Sequence, residues 1–182
     1  MNSISESSWK AATGTLALVG IVLAGSLTAG REAVHTRRTP LDENKATARR
    51  WTEELWGHGD LKVADEIIAA DYVRHDPGDP FPARGPEDVK RIVTMLRSML
   101  PDFKIEVEAM VAEGDLVVSR YTATATDTVG YMGMPPTGKS VRTPAIQIFR
   151  FANGKIVESW AARDDLGTLR QLGHFPAPPP RR

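Results

Sequence analysis

The sequence predicts a mixed α+β domain in which a curved antiparallel sheet is wrapped by N-terminal helices into a cone with a central pocket. Three observations carry this. Apolar residues recur at helical spacing through the first half of the domain, the period switches to alternation from Phe103 onward, and Asn153-Gly154 marks a tight hairpin between the last two strands. Helices first and a meander of strands afterwards is an α+β order.

The elements follow in turn. Residues 41–56 read as a helix, with Ala48, Trp51 and Leu55 on one face and Asp42 placed to cap it. Gly57-His58-Gly59 ends it, and Asp60 caps a second helix carrying Leu61, Ala64, Ile67 and Ile68. Tyr72-Val73 begins a short extended piece that runs into the proline-rich loop 76–82. Gly85-Pro86 opens a third helix, because proline suits the first helical position, and Pro101 stops it. Phe103, Ile105 and Val107 alternate with Lys104, Glu106 and Glu108, the pattern of a half-buried strand. Strands follow over 116–127, 140–151 and 156–163, and Asp164 or Asp165 caps a closing helical turn near Gly173.

Composition narrows the function. Among 182 residues, 23 acidic and 23 basic side chains balance, which leaves no general electrostatic reason to expect nucleic acid as a partner. There is no cysteine, so thiolate zinc sites, iron–sulfur clusters and cysteine nucleophiles are excluded. Asp76 and Asp79 beside His75 do not amount to a metal-ligand set, and no metal or cofactor is expected. Residues 11–30 carry no charge and are about long enough to cross a bilayer. They predict a cleaved secretory signal or an uncleaved membrane anchor, hence a secreted, periplasmic or membrane-tethered protein rather than a cytoplasmic one. The domain then spans 41–175, and PAPPPRR over 176–182 is a tail unable to pack a core.

A family resemblance is carried by an ordered series of short motifs. They are the Trp51 helix, Tyr72-Val73-Arg74-His75-Asp76-Pro77, Gly85-Pro86-Glu87, Leu100-Pro101-Asp102-Phe103, the loop from Gly130 through Pro135-Pro136 to Lys139, Asn153-Gly154-Lys155-Ile156-Val157-Glu158-Ser159-Trp160, and Asp164 with Gln171-Leu172-Gly173. In this order the chain resembles the SnoaL-like polyketide cyclases, or ester cyclases, of the nuclear transport factor 2-like, cystatin-like superfamily.

The resemblance implies a deep apolar pocket, a small hydrophobic carbonyl compound as substrate, cofactor-free intramolecular aldol cyclisation, and a homodimer. It implies Asp164, four residues after Trp160, as the acid and base, with His75 as a hydrogen-bonding helper. An apolar pocket would raise such a carboxyl above its free value of ~3.9 and make it a better acid at neutral pH. Trp51, Tyr72, Phe81, Met132, Met134 and Trp160 are the expected walls, with Phe149 a further candidate and Gln147 a polar contact from a strand whose facing the pattern leaves open.

Blander readings stand beside these. Asp164 also fits a helix cap, His75 a loop histidine, Trp56 the core, Arg74 and Arg120 solvated charges, and the methionine pair a flexible lid. Two rival functions remain: a non-catalytic extracytoplasmic binding module, and a hydrolase similar to the epoxide hydrolases of the same superfamily, with Arg120, Asp127 and Asp164 as its acid–arginine–acid set.

Overall fold

Thr39 opens the first helix, and the computed structural model, which describes residues 39–176, shows why. Its hydroxyl accepts from the Asp42 amide while the Asp42 carboxylate accepts from the Thr39 amide, a reciprocal capping box. Asp42 is therefore the partner three residues in rather than the cap itself. The uncharged segment 11–30 lies outside the described residues, as does all of the tail but Pro176.

Helix α1 spans Pro40–Arg50, but the expected single helix does not continue regularly. Trp51–His58 is a π-helix. The Thr52 hydroxyl donates to the Ala48 carbonyl, a local bond of the kind that competes with the α ladder. Positions five apart lie about 140° apart around an α-helix and cannot share a face. The wider π turn brings Trp51 and Trp56 together, with ring centroids 6.0 Å apart. Gly59, at φ 78°, ends the segment in a left-handed conformation that a side chain would strain. Arg97 donates to the carbonyls of Trp56 and Gly57, which the helix end leaves free.

Helix α2 (Lys62–Ile67) leads directly into β1 (Ile68–His75), and α3 (Gly85–Met99) follows the proline-rich loop. Strands β2 (Lys104–Glu113), β3 (Leu116–Thr126), β4 (Ser140–Ala152) and β5 (Lys155–Arg163) form the antiparallel meander, and α4 (Asp165–Leu172) closes the domain. Asn153 and Gly154 both take positive φ, as the tight β4–β5 turn requires. The sheet order is β1-β5-β4-β3-β2. The meander starts at the far edge and returns, so β5 arrives alongside β1 and pairs with it in parallel. Only four of the five strands are thus the expected antiparallel set. Register shifts in β1–β5, β2–β3 and β4–β5 accompany the bend of the sheet.

Alternation sorts the two faces. Val117, Ser119 and Tyr121 of β3, and Ala145, Gln147 and Phe149 of β4, are buried on the inner face, whereas Arg120, Ile146 and Arg150 are exposed outside. Trp51 centres the core, with its ring 5.6 Å from Tyr72 and 5.7 Å from Phe149, over Leu55, Val89, Val93 and Ile156. Trp51→Ala is expected to destabilise the protein by about 3–5 kcal/mol, the cost of removing a large buried aromatic, measured by urea unfolding.

Candidate functional site

Between the inner sheet face, the π-helix and α3 lies a cavity of about 610 Å³. Its apolar wall is built by Trp51, Trp56, Ile92, Leu96, Phe103 and Ala125. Its charged cluster comes from three places in the chain: Arg74 near the end of β1, Asp79 in the following loop, and Arg163 at the end of β5.

Arg74 organises this end. Its Nε donates to Asp79 Oδ2 at 2.7 Å and its Nη2 to Asp76 Oδ2 at 2.7 Å. The side chains of Arg74, Asp76 and Asp79 are 5%, 2% and 7% exposed, so these are ion pairs removed from water. Arg163 Nη1 donates to the same Asp76 oxygen at 3.0 Å, and the Gly78 amide donates to Asp76 Oδ1 at 2.9 Å. A Cβ on Gly78 would collide with the Arg163 guanidinium, so the loop backbone lies directly against it. Asp76 is saturated. Asp79 spends only Oδ2 on a hydrogen bond among the described residues.

The electrostatics follow from burial. Desolvation pushes the Asp79 carboxyl above its ordinary value, Arg74 pulls it back, and neighbouring Asp76 adds to the rise. Burial works against charge on Arg74, but Tyr72, Asp79 and Asp76 outweigh it and hold the guanidinium protonated. Tyr121, buried on the same wall, is also pushed up by desolvation. Over the rim, the loop 127–139 is pinned by Asp127, whose carboxylate accepts from the amides of Gly130 and Thr137 and from the Thr137 hydroxyl. Tyr131 from this loop donates its hydroxyl to Asp165, and burial together with that bond raises its phenol strongly.

Several expected site residues lie elsewhere. Asp164 is exposed and caps α4, with Oδ1 accepting from the Gly167 amide at 2.8 Å; it does not line the cavity. His75 and Trp160 sit on the outer face, because strand alternation puts them opposite to Arg74 and Ser159. There His75 is 46% exposed, stacks on Trp160 at 5.4 Å and bonds Glu158 at 2.9 Å. Tyr72 is core, its hydroxyl 2.6 Å from Ser159 Oγ and pushed up to about 12 by burial. Phe149 is likewise core. Phe81 packs against the core beneath the Arg91 guanidinium, and Met134 is exposed.

The structure does bring Trp51, Met132 and Gln147 to the cavity. Gln147 is on the inner face and donates to Ser159 Oγ at 3.2 Å. Arg120 is outside, paired with Glu108, so the set of Arg120, Asp127 and Asp164 does not assemble. The acid–arginine–acid cluster that does form is Asp76, Arg74 and Asp79. Arg74, which fits a solvated charge in the sequence, is instead buried, because the sheet turns Tyr72 and Arg74 to the same inner side; nothing in the sequence marked Asp79. Among the described residues no group of three His, Asp or Glu side chains is placed to hold a metal ion, and no helix is long and apolar enough to cross a membrane.

A five-stranded bent sheet holding helices against one face, with an arginine–carboxylate cluster at the polar end of an apolar cavity, defines a domain of the nuclear transport factor 2-like fold. The sequence profile described as SnoaL-like polyketide cyclase matches residues 46–172, and the chain belongs to that family.

IdmH of Streptomyces antibioticus, provisionally assigned as a polyketide cyclase, is 33% identical with a TM-score of 0.63 over 71% of this chain and 98% of its own. A protein of Acidithiobacillus ferrooxidans with the same provisional assignment is 30% identical, TM-score 0.65, covering 75% of this chain and 99% of that one. A SnoaL-like protein of Jannaschia sp. CCS1 is 25% identical, TM-score 0.66, covering 77% and 99%. No curated protein matches the chain.

Asp164→Ala is expected to cost about 1 kcal/mol of stability through loss of the cap, measured by thermal unfolding, while leaving the cavity's affinity for an apolar fluorophore unchanged.

Proposed function

We propose that the protein binds a small, hydrophobic, enolisable carbonyl compound in its cavity and promotes intramolecular aldol cyclisation by acid–base chemistry, with Asp79 as the proton-transfer group. The observation that carries this reading is the uncommitted Oδ1 of a buried aspartate on the wall of a largely apolar chamber. The family membership supports it, and the similarity to IdmH is consistent with it.

Asp79 takes the proton from a carbon flanked by carbonyls, and the C–H electron pair moves into an enolate. That carbon attacks a second carbonyl in the same molecule. The new alkoxide then recovers the proton from Asp79. One carboxyl serves as base and acid, so its raised pKa aids the return step. Arg74 acts as a positioning residue by holding Oδ2 and leaving Oδ1 without a hydrogen bond among the described residues. The apolar walls supply most of the remaining acceleration by folding the chain so that its ends meet.

Asp79→Asn is expected to lower turnover of an aromatic poly-β-ketone surrogate by ~10²–10⁴ without weakening its binding. In the wild type, kcat/KM should rise with pH through the raised pKa of Asp79 and level off above it, because the base acts deprotonated. An acidic limb at the ordinary carboxylate position, or an Asn variant with full turnover, removes Asp79 from the mechanism.

We also propose that two copies pair through the outer sheet face. Val111 and Ile146 are exposed there beside half-buried Val118 and Ile148, and Arg150 and Glu158 offer both charge signs, as a self-complementary two-fold contact requires. Ile146→Asp should convert a dimeric mass to a monomeric one by light scattering; an unchanged mass refutes this face.

A further inference from the structure

Two donors on the cavity wall are buried and unspent. Trp56 Nε1 and Arg74 Nη1 have no hydrogen-bond partner among the described residues, although each residue is only 9% exposed. Leaving a buried donor unpaired costs about 1–3 kcal/mol, more when it is charged. The great majority of buried polar groups are paired, so two orphans on one wall call for an explanation. They are neighbours: the Arg74 guanidinium lies over the Trp56 indole, with Cζ 4.8 Å from the ring centroid. The residues Trp56 and Arg74 both line the cavity, and so does Asp79.

The surrounding charges narrow what these donors receive. Arg74 and Arg163 face the carboxyls of Asp76, Asp79 and Asp165. With no surplus of positive charge, the arrangement does not suit a carboxylate or phosphate ester. It suits a neutral oxygen acceptor that gains negative charge only during reaction.

We propose that Arg74 Nη1 and Trp56 Nε1 form a two-donor site for one carbonyl oxygen of the substrate, the oxygen that becomes the enolate when Asp79 removes the adjacent proton. The site rests on the acid–base reading above and deepens it. The C–H bond breaks, its electron pair forms the enolate C=C, the carbonyl π pair moves onto oxygen, and the proton goes to Asp79 Oδ1. Arg74 and Trp56 donate hydrogen bonds and surrender no proton. The π-helix is what makes this possible, since it turns Trp56 to the same side as Trp51. Trp56 is then a specificity-determining residue: ligands lacking an oxygen at that end leave both donors unpaired.

The test uses full-length protein with nitrogen-15-labelled tryptophan and two probes of one carbon skeleton, the neutral diketone 2-acetyl-1-tetralone and the oxygen-free 2-ethyltetralin. The diketone should move the Trp56 indole N–H resonance downfield, and 2-ethyltetralin should not. Trp56→Phe keeps an aromatic ring and removes the donor. It should weaken diketone binding about tenfold, near 1.4 kcal/mol, leave 2-ethyltetralin affinity within about twofold, and slow deuterium exchange at the diketone's acidic carbon by ~10². Diketone binding that shifts Trp51 but not the Trp56 N–H, with unchanged affinity and exchange in the Phe variant, overturns the two-donor site and leaves the acid–base reading standing. Failure of the diketone to bind the wild type overturns both. The wild-type spectrum decides the matter even where the Phe variant folds poorly.

Discussion

The structure depends on one buried cation. Arg74 sits at the junction of β1, the proline-rich loop and the tryptophans of the π-helix, and a guanidinium there is tolerable only because Asp76 and Asp79 receive two of its nitrogens. Removing a partner from such a cluster would strand a charge in a low-dielectric site, so the loop 76–79 is locked to the sheet by electrostatics more than by packing. Arg163 extends the same network to the end of β5 through Asp76 and onward to Asp165. The parallel pairing of β1 with β5 is what brings these two arginines, 89 positions apart in sequence, to one end of the cavity.

The division of labour within the cluster follows from counting bonds. Asp76 has both oxygens occupied, by two arginines and a backbone amide, and serves as structure. Asp79 lies at the cavity with one oxygen in reserve. Two aspartates three residues apart thus occupy different electrostatic settings, which is the general way a protein separates a structural carboxylate from one available for proton transfer. The rim loop belongs to the same network, since Tyr131 reaches Asp165 and Asp165 also accepts from Arg163.

The wall opposite is set by a departure from regular helix. An α-helical continuation of α1 would separate Trp51 and Trp56 around the axis; the π turn brings the two indoles together, tilted at 41°, and both line the chamber. A shared fold does not fix a function, so the shape of the chamber and the placement of its donors, rather than the fold, would select a substrate.

Periodicity and turn chemistry determined much of this protein from sequence alone. The α+β order, the alternation from Phe103, the Asn153-Gly154 hairpin, the Gly85-Pro86 helix start and the Asp164 cap are local consequences of backbone preference, and each is where its residues put it. The family, too, was legible in the ordered motifs. Tertiary structure decided which side chains meet. Period two fixes that Arg74 and His75 oppose each other but not which of them faces inward; the parallel β1–β5 register and the packing of Trp51 made that choice. Hence His75 and Trp160 went to the outer face, Asp164 to the surface, and Arg74 and Asp79, which carry no local signal of function, to the cavity. Local rules act over a few residues, whereas a site is an agreement between segments far apart in the chain, and only the closed fold expresses it.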